Sequence, residues 1–168
     1  AADITCGPTT TLDLSSTGDA RYTVSVTATD AAGNSSVAPG TASYTLDGTV
    51  PAAPTVTLTT PASSPGSATS PTFTVTNPGD TSPGGITYTC SATNTSVVPN
   101  TAVPTADITC GPTTTLALST LGDGDYTLSV LATDKAGNVS TTSGTASYTL
   151  DTGVPSQRWR YSGSSERL

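Results

Sequence analysis

The sequence contains no histidine and no methionine, and it has one glutamate, one phenylalanine and one tryptophan among its 168 residues. Without an imidazole base, Ser-His-Asp triads and the usual catalytic zinc sites are excluded. Five lysines and arginines stand against twelve acidic residues, which gives a net charge of −7. So few cations argue against nucleic acid and anionic membrane as partners. We therefore expect no enzyme activity, no nucleic-acid binding and no membrane insertion.

Long apolar runs are also missing, because no stretch approaches the roughly 18 residues of a membrane-spanning helix. The chain is instead rich in small residues, with 38 Thr, 22 Ser, 16 Gly and 13 Pro. This composition approaches that of disordered chains, but apolar and hydroxyl residues alternate with a period of two. Residues 22–29 and 126–133 show the alternation most clearly. Such alternation is typical of antiparallel strands with one buried face, so we predict an all-β antiparallel fold.

An internal repeat is the strongest signal in the sequence. Residues 2–12 recur identically at 106–116, and later matches keep the same offset of 104 residues. A period of this length is that of a domain, and it is too long for a solenoid repeat. We therefore divide the chain into the C-terminal half of one repeat (1–49), a complete repeat (50–152) and a tail that does not match the repeat (153–168).

The strands of the complete repeat are predicted near 54–60, 70–77, 85–92, 113–119, 125–133 and 144–151, with a further short strand near 96–103. The apolar residues of these strands are expected to form the core, namely Val56, Leu58, Phe73, Val75, Ile86, Tyr88, Leu116, Leu118, Tyr126, Leu128, Val130, Tyr148 and Leu150.

Residues 1–49 match only the second half of the repeat, and they carry three of the predicted strands. Three short strands bury too little apolar surface to offset their loss of conformational entropy. We expect this segment either to be completed by another chain or to belong to a longer array of repeats.

The three cysteines fit one disulfide per repeat. Cys90 ends a predicted strand and Cys110 precedes the next one, whereas Cys6 is the repeat equivalent of Cys110. We predict a disulfide between Cys90 and Cys110, with Cys6 unpaired in this chain or bonded to another molecule. No metal site is expected from three cysteines without histidine. A structural disulfide indicates an oxidising, extracytoplasmic location.

Two kinds of turn carry site predictions, and the first has both a structural and a functional interpretation. Asp134 opens a Gly-Asn turn that fits a hairpin loop, and with Asp47 and Asp80 it could instead supply carboxylates to a calcium ion between domains. No other cofactor is expected. Tyr126 and its counterpart Tyr22 follow flexible acidic turns, and we predict that each hydroxyl bonds back onto its turn as in a tyrosine corner.

The tail holds Trp159 and three of the five cations. Its Arg-Trp-Arg sequence suggests either an aromatic and basic contact site or a solvated extension without a function of its own.

The run from Leu121 to Asn138, followed by Ala146 to Asp151 and by Val154-Pro155, resembles bacterial immunoglobulin-like repeat domains. The resemblance covers 51–155 well and 1–50 as a half repeat. It implies an immunoglobulin-like antiparallel β-sandwich, and tandem copies in large secreted or surface-anchored proteins, including adhesins. Some such repeats carry a cysteine on either side of a loop, as Cys90 and Cys110 do, and some bind calcium between domains.

The resemblance implies a structural segment of an extracellular or cell-surface stalk or adhesin, whose partners are neighbouring repeats of the same protein or other copies of it. A second hypothesis is a self-assembling filament or surface-layer subunit, in which strands donated between copies complete residues 1–49. A third is a spacer or carbohydrate-binding module of a secreted enzyme. Sugar-binding sites usually display aromatic platforms, and the single tryptophan lies in the tail.

Overall fold

The computed structural model describes residues 3–77, 79 and 85–155. Within these ranges every regular element is a β-strand, apart from one 3-10 turn at Thr105–Asp107. The strands are β1 (Asp3–Thr5), β2 (Thr11–Asp13), β3 (Ala20–Val26), β4 (Gly40–Leu46), β5 (Thr55–Thr60), β6 (Thr72–Thr76), β7 (Thr87–Asn94), β8 (Thr101–Ala102), β9 (Ile108–Thr109), β10 (Thr113–Leu116), β11 (Gly124–Thr133) and β12 (Gly144–Leu150). None of the described residues forms a helix that could span a membrane.

Residues 51–152, here called the complete unit, contain two four-stranded antiparallel sheets. The first sheet has the order β5-β6-β10-β9 and the second has the order β12-β11-β7-β8. Strand β11 pairs with β12 on one side and with β7 on the other. Residues 51–104 form the front half of the complete unit and 105–152 form its back half, and each half supplies strands to both sheets.

The core lies between the two sheets. It is formed by buried residues of both, including Phe73 on β6, Leu116 on β10 and Tyr148 on β12. Along β11 the even-numbered residues from Tyr126 to Ala132 are buried, as the period-two alternation requires. The all-β antiparallel sandwich predicted from the sequence is therefore confirmed.

Nine of the thirteen predicted core residues are buried, namely Phe73, Val75, Leu116, Leu118, Tyr126, Leu128, Val130, Tyr148 and Leu150. The other four, Val56, Leu58, Ile86 and Tyr88, are half-buried. Val103 and Thr114 are also buried, although they were not predicted. The hydroxyl of Thr114 donates a hydrogen bond to the carbonyl oxygen of Gly111 at 2.8 Å, so its burial leaves no polar group unsatisfied.

Residues 3–49, here called the half unit, form two two-stranded antiparallel ribbons, β1-β2 and β3-β4. The half unit has four strands, so the prediction of three was wrong. The additional strand β1 is only three residues long and is too short to show an alternation pattern. It corresponds to β9, and the two ribbons therefore represent one pair of strands from each sheet of the complete unit.

Candidate functional site

A disulfide joins the two sheets of the complete unit. Cys90 lies on β7, and Cys110 directly follows β9. Their Sγ atoms are bonded at 2.00 Å, and their Cα atoms are 5.7 Å apart. The bond closes a loop with a sequence separation of 20 residues, which stabilises the domain by about 3 kcal/mol in the chain-entropy model. Cys6 is a free, exposed cysteine.

The two tyrosines predicted at corners make the same local hydrogen bond. Tyr126 Oη donates to the carbonyl oxygen of Gly122 at 2.7 Å, and Tyr22 Oη donates to that of Gly18 at 2.5 Å. Tyr126 is buried, whereas Tyr22 is half-buried. Burial raises the pKa of Tyr126, and this effect outweighs a hydrogen bond with Asn94. The corner is therefore built from local sequence, but its burial is not.

The Asp134 turn is closed by hydrogen bonds to the aspartate carboxylate. The backbone N and the Nδ2 atom of Asn138 each donate to Asp134 at 2.8 Å. Burial alone would raise the pKa of Asp134, but these hydrogen bonds favour the charged carboxylate and hold the pKa below its usual value of 3.8. Asp30 and Asn34 repeat the arrangement in the half unit, and hydrogen bonds from Asn34 likewise lower the pKa of Asp30.

The predicted calcium ligands are brought together only in part. Asp47 and Asp134 lie at the same junction, because Asn138 Nδ2, which bonds the Asp134 carboxylate, also donates to the backbone oxygen of Asp47 at 3.0 Å. Asp80 lies outside the described residues. Among those that are described, no three acidic or cysteine side chains are grouped closely enough to hold a metal ion. Calcium binding thus stays a prediction, which a melting experiment with and without chelator would test.

The segment that links the two units, residues 47–54, is held from both sides. On the side of the half unit, Asp19 accepts hydrogen bonds from the Gly48 backbone N at 2.8 Å and from Thr49 Oγ1 at 2.5 Å. These hydrogen bonds lower the pKa of Asp19. On the side of the complete unit, Pro51 and Pro54 are buried. The linker therefore has few freely rotating bonds, since proline also fixes its own φ angle.

The first and last segments of the complete unit run in the same direction and are bonded to each other. The backbone N of Gly66 donates to the oxygen of Thr149 at 3.0 Å, and the backbone N of Asp151 donates to the oxygen of Gly66 at 3.0 Å. Two side-chain hydrogen bonds reinforce this parallel bridge. The Thr149 backbone N donates to Ser64 Oγ at 2.8 Å, and Tyr148 Oη donates to the oxygen of Ala68 at 3.0 Å.

Gly144 lies at the beginning of the same contact. A Cβ atom at this position would lie 1.9 Å from the backbone oxygen of Pro54, so the close approach of the two segments requires glycine. Gly40, its repeat equivalent, has no comparable neighbour, because its nearest atom would be 4.0 Å away.

The half unit exposes an apolar surface that we call the open face, consisting of Leu12, Leu14, Val26, Tyr44 and Leu46. Four of these residues, all except Val26, line a groove of about 460 Å³. Tyr44 is 59% exposed and Val26 is 42% exposed, whereas their repeat equivalents Tyr148 and Val130 are both 0% exposed. An exposed apolar groove of this kind is typical of an interaction surface.

Comparison with known families assigns the fold. The model of the family described as bacterial Ig-like domain matches residues 52–152. The chain belongs to this family. Bacterial Ig-like domains are generally non-catalytic and commonly occur in extracellular and surface proteins. No curated protein and no solved structure matches the chain.

Sequence reasoning missed several residues that join separate segments of the chain. Asp19 and its equivalent Asp123, which bonds Thr152, anchor the residues that follow the last strand of each unit. The sequence does contain a signal for them. The two aspartates recur with the offset of the repeat, and a Thr follows the last strand of each unit. Ser64 and Gly66 lie in a turn-rich segment without alternation, and nothing in the sequence identified their partners on β12.

Proposed function

We propose that the chain is a non-catalytic structural segment of an extracellular bacterial stalk or adhesin, in which Ig-like domains in series hold a distal binding part away from the cell. Family membership supports a structural extracellular repeat. The more specific role as a stalk is supported by how the complete unit would respond to tension along the array.

The observation that supports a stalk is the parallel contact between the two ends of the complete unit. Pro54 lies against Gly144, and Gly66 bridges Leu150, so the chain from 54 to 66 follows β12 in the same direction. When the array is stretched, force acts at the beginning of the 54–66 segment and at the end of β12. Parallel neighbours pulled from opposite ends are loaded in shear, so their hydrogen bonds must break together, whereas a hairpin pulled from its open end unzips one bond at a time.

The linker supports the same role. Its contacts with Asp19 on one side and with Asn138 on the other restrict rotation between successive units. A restricted junction transmits orientation along an array, which an unrestrained Gly/Ser-type linker would not do.

Pulling the full chain from its two ends at constant force tests the proposal. We expect residues 51–152 to open in one discrete step. Ser64→Ala removes the acceptor of the Thr149 backbone N and should accelerate this step about fivefold, since one hydrogen bond contributes about 1 kcal/mol. Tyr148→Phe removes the hydroxyl bonded to Ala68 and should act similarly.

Ser63→Ala, in the same turn, is the matched control and should leave the rate unchanged. Gradual extension without a discrete step, or equal rates for Ser63→Ala, Ser64→Ala and the unmodified chain, would contradict a role in bearing tension.

A further inference from the structure

The repeat shows what kind of surface would cover the open face. In the complete unit, the equivalents of the open-face residues are buried against the front half. Those equivalents are Leu116, Leu118, Val130, Tyr148 and Leu150, and all are at most 2% exposed. The front half contributes Phe73 and Val75 to the same core. The sequence of the back half is largely repeated in the half unit, so the same apolar chemistry fits both.

Two strand edges of the half unit also indicate that a front half would cover the open face. In the complete unit, β11 pairs with β7 and β10 pairs with β6, and both partners belong to the front half. In the half unit, the equivalent strands β3 and β2 pair only with β4 and β1 within the described residues. Each of them therefore presents an edge of unpaired backbone groups at which a strand can be added.

Cys6 provides an independent observation. It follows β1 as Cys110 follows β9, and Cys110 is bonded to Cys90 on β7 of the front half. Cys90 lies opposite Val130 in the register of β7 with β11. A β7-like strand added to β3 in the same register would place its cysteine opposite Val26, at the position from which Cys90 reaches Cys110.

The front half of the complete unit, in this chain or in a second copy, already packs on the back half of its own unit. A front half for the open face must therefore come from a further repeat.

We infer that the open face binds the front half of a further Ig-like repeat, chemically similar to residues 51–104, and that Cys6 forms a disulfide with the cysteine of its β7-like strand. This inference rests on the repeat equivalence and not on the stalk role. Its failure would leave the pulling experiment and its interpretation unaffected.

The covalent step requires an oxidant, and a small disulfide such as oxidised glutathione balances it. The Cys6 thiolate attacks glutathione disulfide and releases one glutathione. The thiolate of the incoming cysteine then attacks the sulfur of Cys6 in the mixed disulfide and releases the second glutathione. Two protein thiols are oxidised, one glutathione disulfide is reduced, and the two protons pass to the released thiolates.

The test uses the full chain, with its Cys90–Cys110 bond intact, and an isotopically labelled polypeptide of residues 51–104 as the probe. The two are mixed in a glutathione redox buffer, and the disulfides are mapped by mass spectrometry. We expect a bond between Cys6 and Cys90 of the probe that forms at least about tenfold faster than with a control probe carrying Phe73→Ser and Val75→Ser. The control loses the apolar burial that aligns the strands.

Variants of the full chain locate the surface. Tyr44→Asp places a charge in the open face and should slow the reaction at least about tenfold. Val37→Asp places the same charge on an apolar residue outside that face, which is fully exposed, and should have no effect. A probe with Cys90→Ser gives a second readout that needs no oxidation, because its binding should slow amide exchange in β3.

Three outcomes would overturn the inference. They are equal reaction rates for the probe and its control, equal effects of the Tyr44 and Val37 variants, or a dominant Cys6–Cys6 dimer in the presence of excess probe. The last result would identify a second copy of the chain as the occupant.

Discussion

The half unit and the back half of the complete unit are built from nearly the same sequence, yet their side chains have very different surroundings. Tyr44 and Tyr148 belong to identical strand sequences and both pair with a tyrosine on the neighbouring strand. Tyr148 is 0% exposed, whereas Tyr44 is 59% exposed. Local sequence therefore determines the strand, its register and its partner, but burial depends on a front half 40 or more residues away, which the half unit lacks within the described chain.

Features made by neighbouring residues are the same in both regions. Thr23 and Ser43 share a hydrogen bond of 3.1 Å across β3 and β4, and Thr127 and Ser147 share one of the same length across β11 and β12. The tyrosine corners and the aspartate turns are also reproduced. Equivalent substitutions in the two regions should therefore have equal effects on local structure and unequal effects on stability.

The largest difference is expected for a core residue. Leu128→Ala should lower the free energy of unfolding of the complete unit by about 3 kcal/mol, because it leaves a cavity in a fully buried site. Val24→Ala, at the equivalent position of the half unit, should lower the free energy of unfolding of the half unit by less than about 0.5 kcal/mol. Urea unfolding followed by circular dichroism checks both. Comparable losses would show that the half unit packs as tightly as the complete one.

Gly144→Ala should destabilise the complete unit by about 2 kcal/mol, since its Cβ would overlap the backbone oxygen of Pro54 and force the two segments apart. Gly40→Ala should be close to neutral, because space is available there. Thermal unfolding of the two variants measures the difference. A harmless Gly144→Ala would mean that the first and last segments are not in close contact.

A smaller difference is expected for the tyrosine corner. Tyr126→Phe removes a hydrogen bond inside the buried region and should lower the free energy of unfolding by about 1 kcal/mol. Tyr22→Phe removes the same bond at a half-exposed site, where water can replace it. Its effect should lie within a few tenths of a kcal/mol. If the two changes had the same effect on the urea midpoint, burial would not be what distinguishes the corners.

The aspartate turns should behave alike in both regions. The pKa values of Asp30 and Asp134 are both lowered below 3.8, so each carboxylate stabilises its turn above that pH, and this contribution is lost as the pH falls through the lowered pKa. Carbon NMR should show both side chains titrating below pH 3.8. Asp134→Asn should flatten the acid limb of the stability curve. A titration of either residue above its usual pKa would contradict the hydrogen-bonded geometry.

The fold and most of the core could be predicted from the sequence, because alternation and repetition are visible in the order of neighbouring residues. It placed β11 and β12 within a residue of their observed ends, and it identified Tyr126 and Tyr148 as core residues. It extended β10 to 119, whereas the strand ends at Leu116. The buried Val103 was missed because it lies in the irregular connection between Cys90 and Cys110.

Contacts that join distant segments were the ones that the sequence did not predict. The bonds from Ser64 and Gly66 to β12 are made by backbone groups and a small hydroxyl, which leave no periodic pattern. Asn138 was interpreted as part of a turn. Its second role, a hydrogen bond to the backbone of Asp47 in the linker, joins residues that are 91 positions apart in the sequence. Asp80 and the tail from 156 onward, including Trp159, lie outside the described residues.

Native-state amide hydrogen exchange tests the central claim that one region is a closed domain and the other an open one. The amides of β11 should exchange only on global unfolding, because β7 and β12 cover both of its edges. In β3, the amides that face away from β4 should exchange at nearly the rate of an unstructured chain. Equal protection of β3 and β11 in the isolated chain would contradict the account.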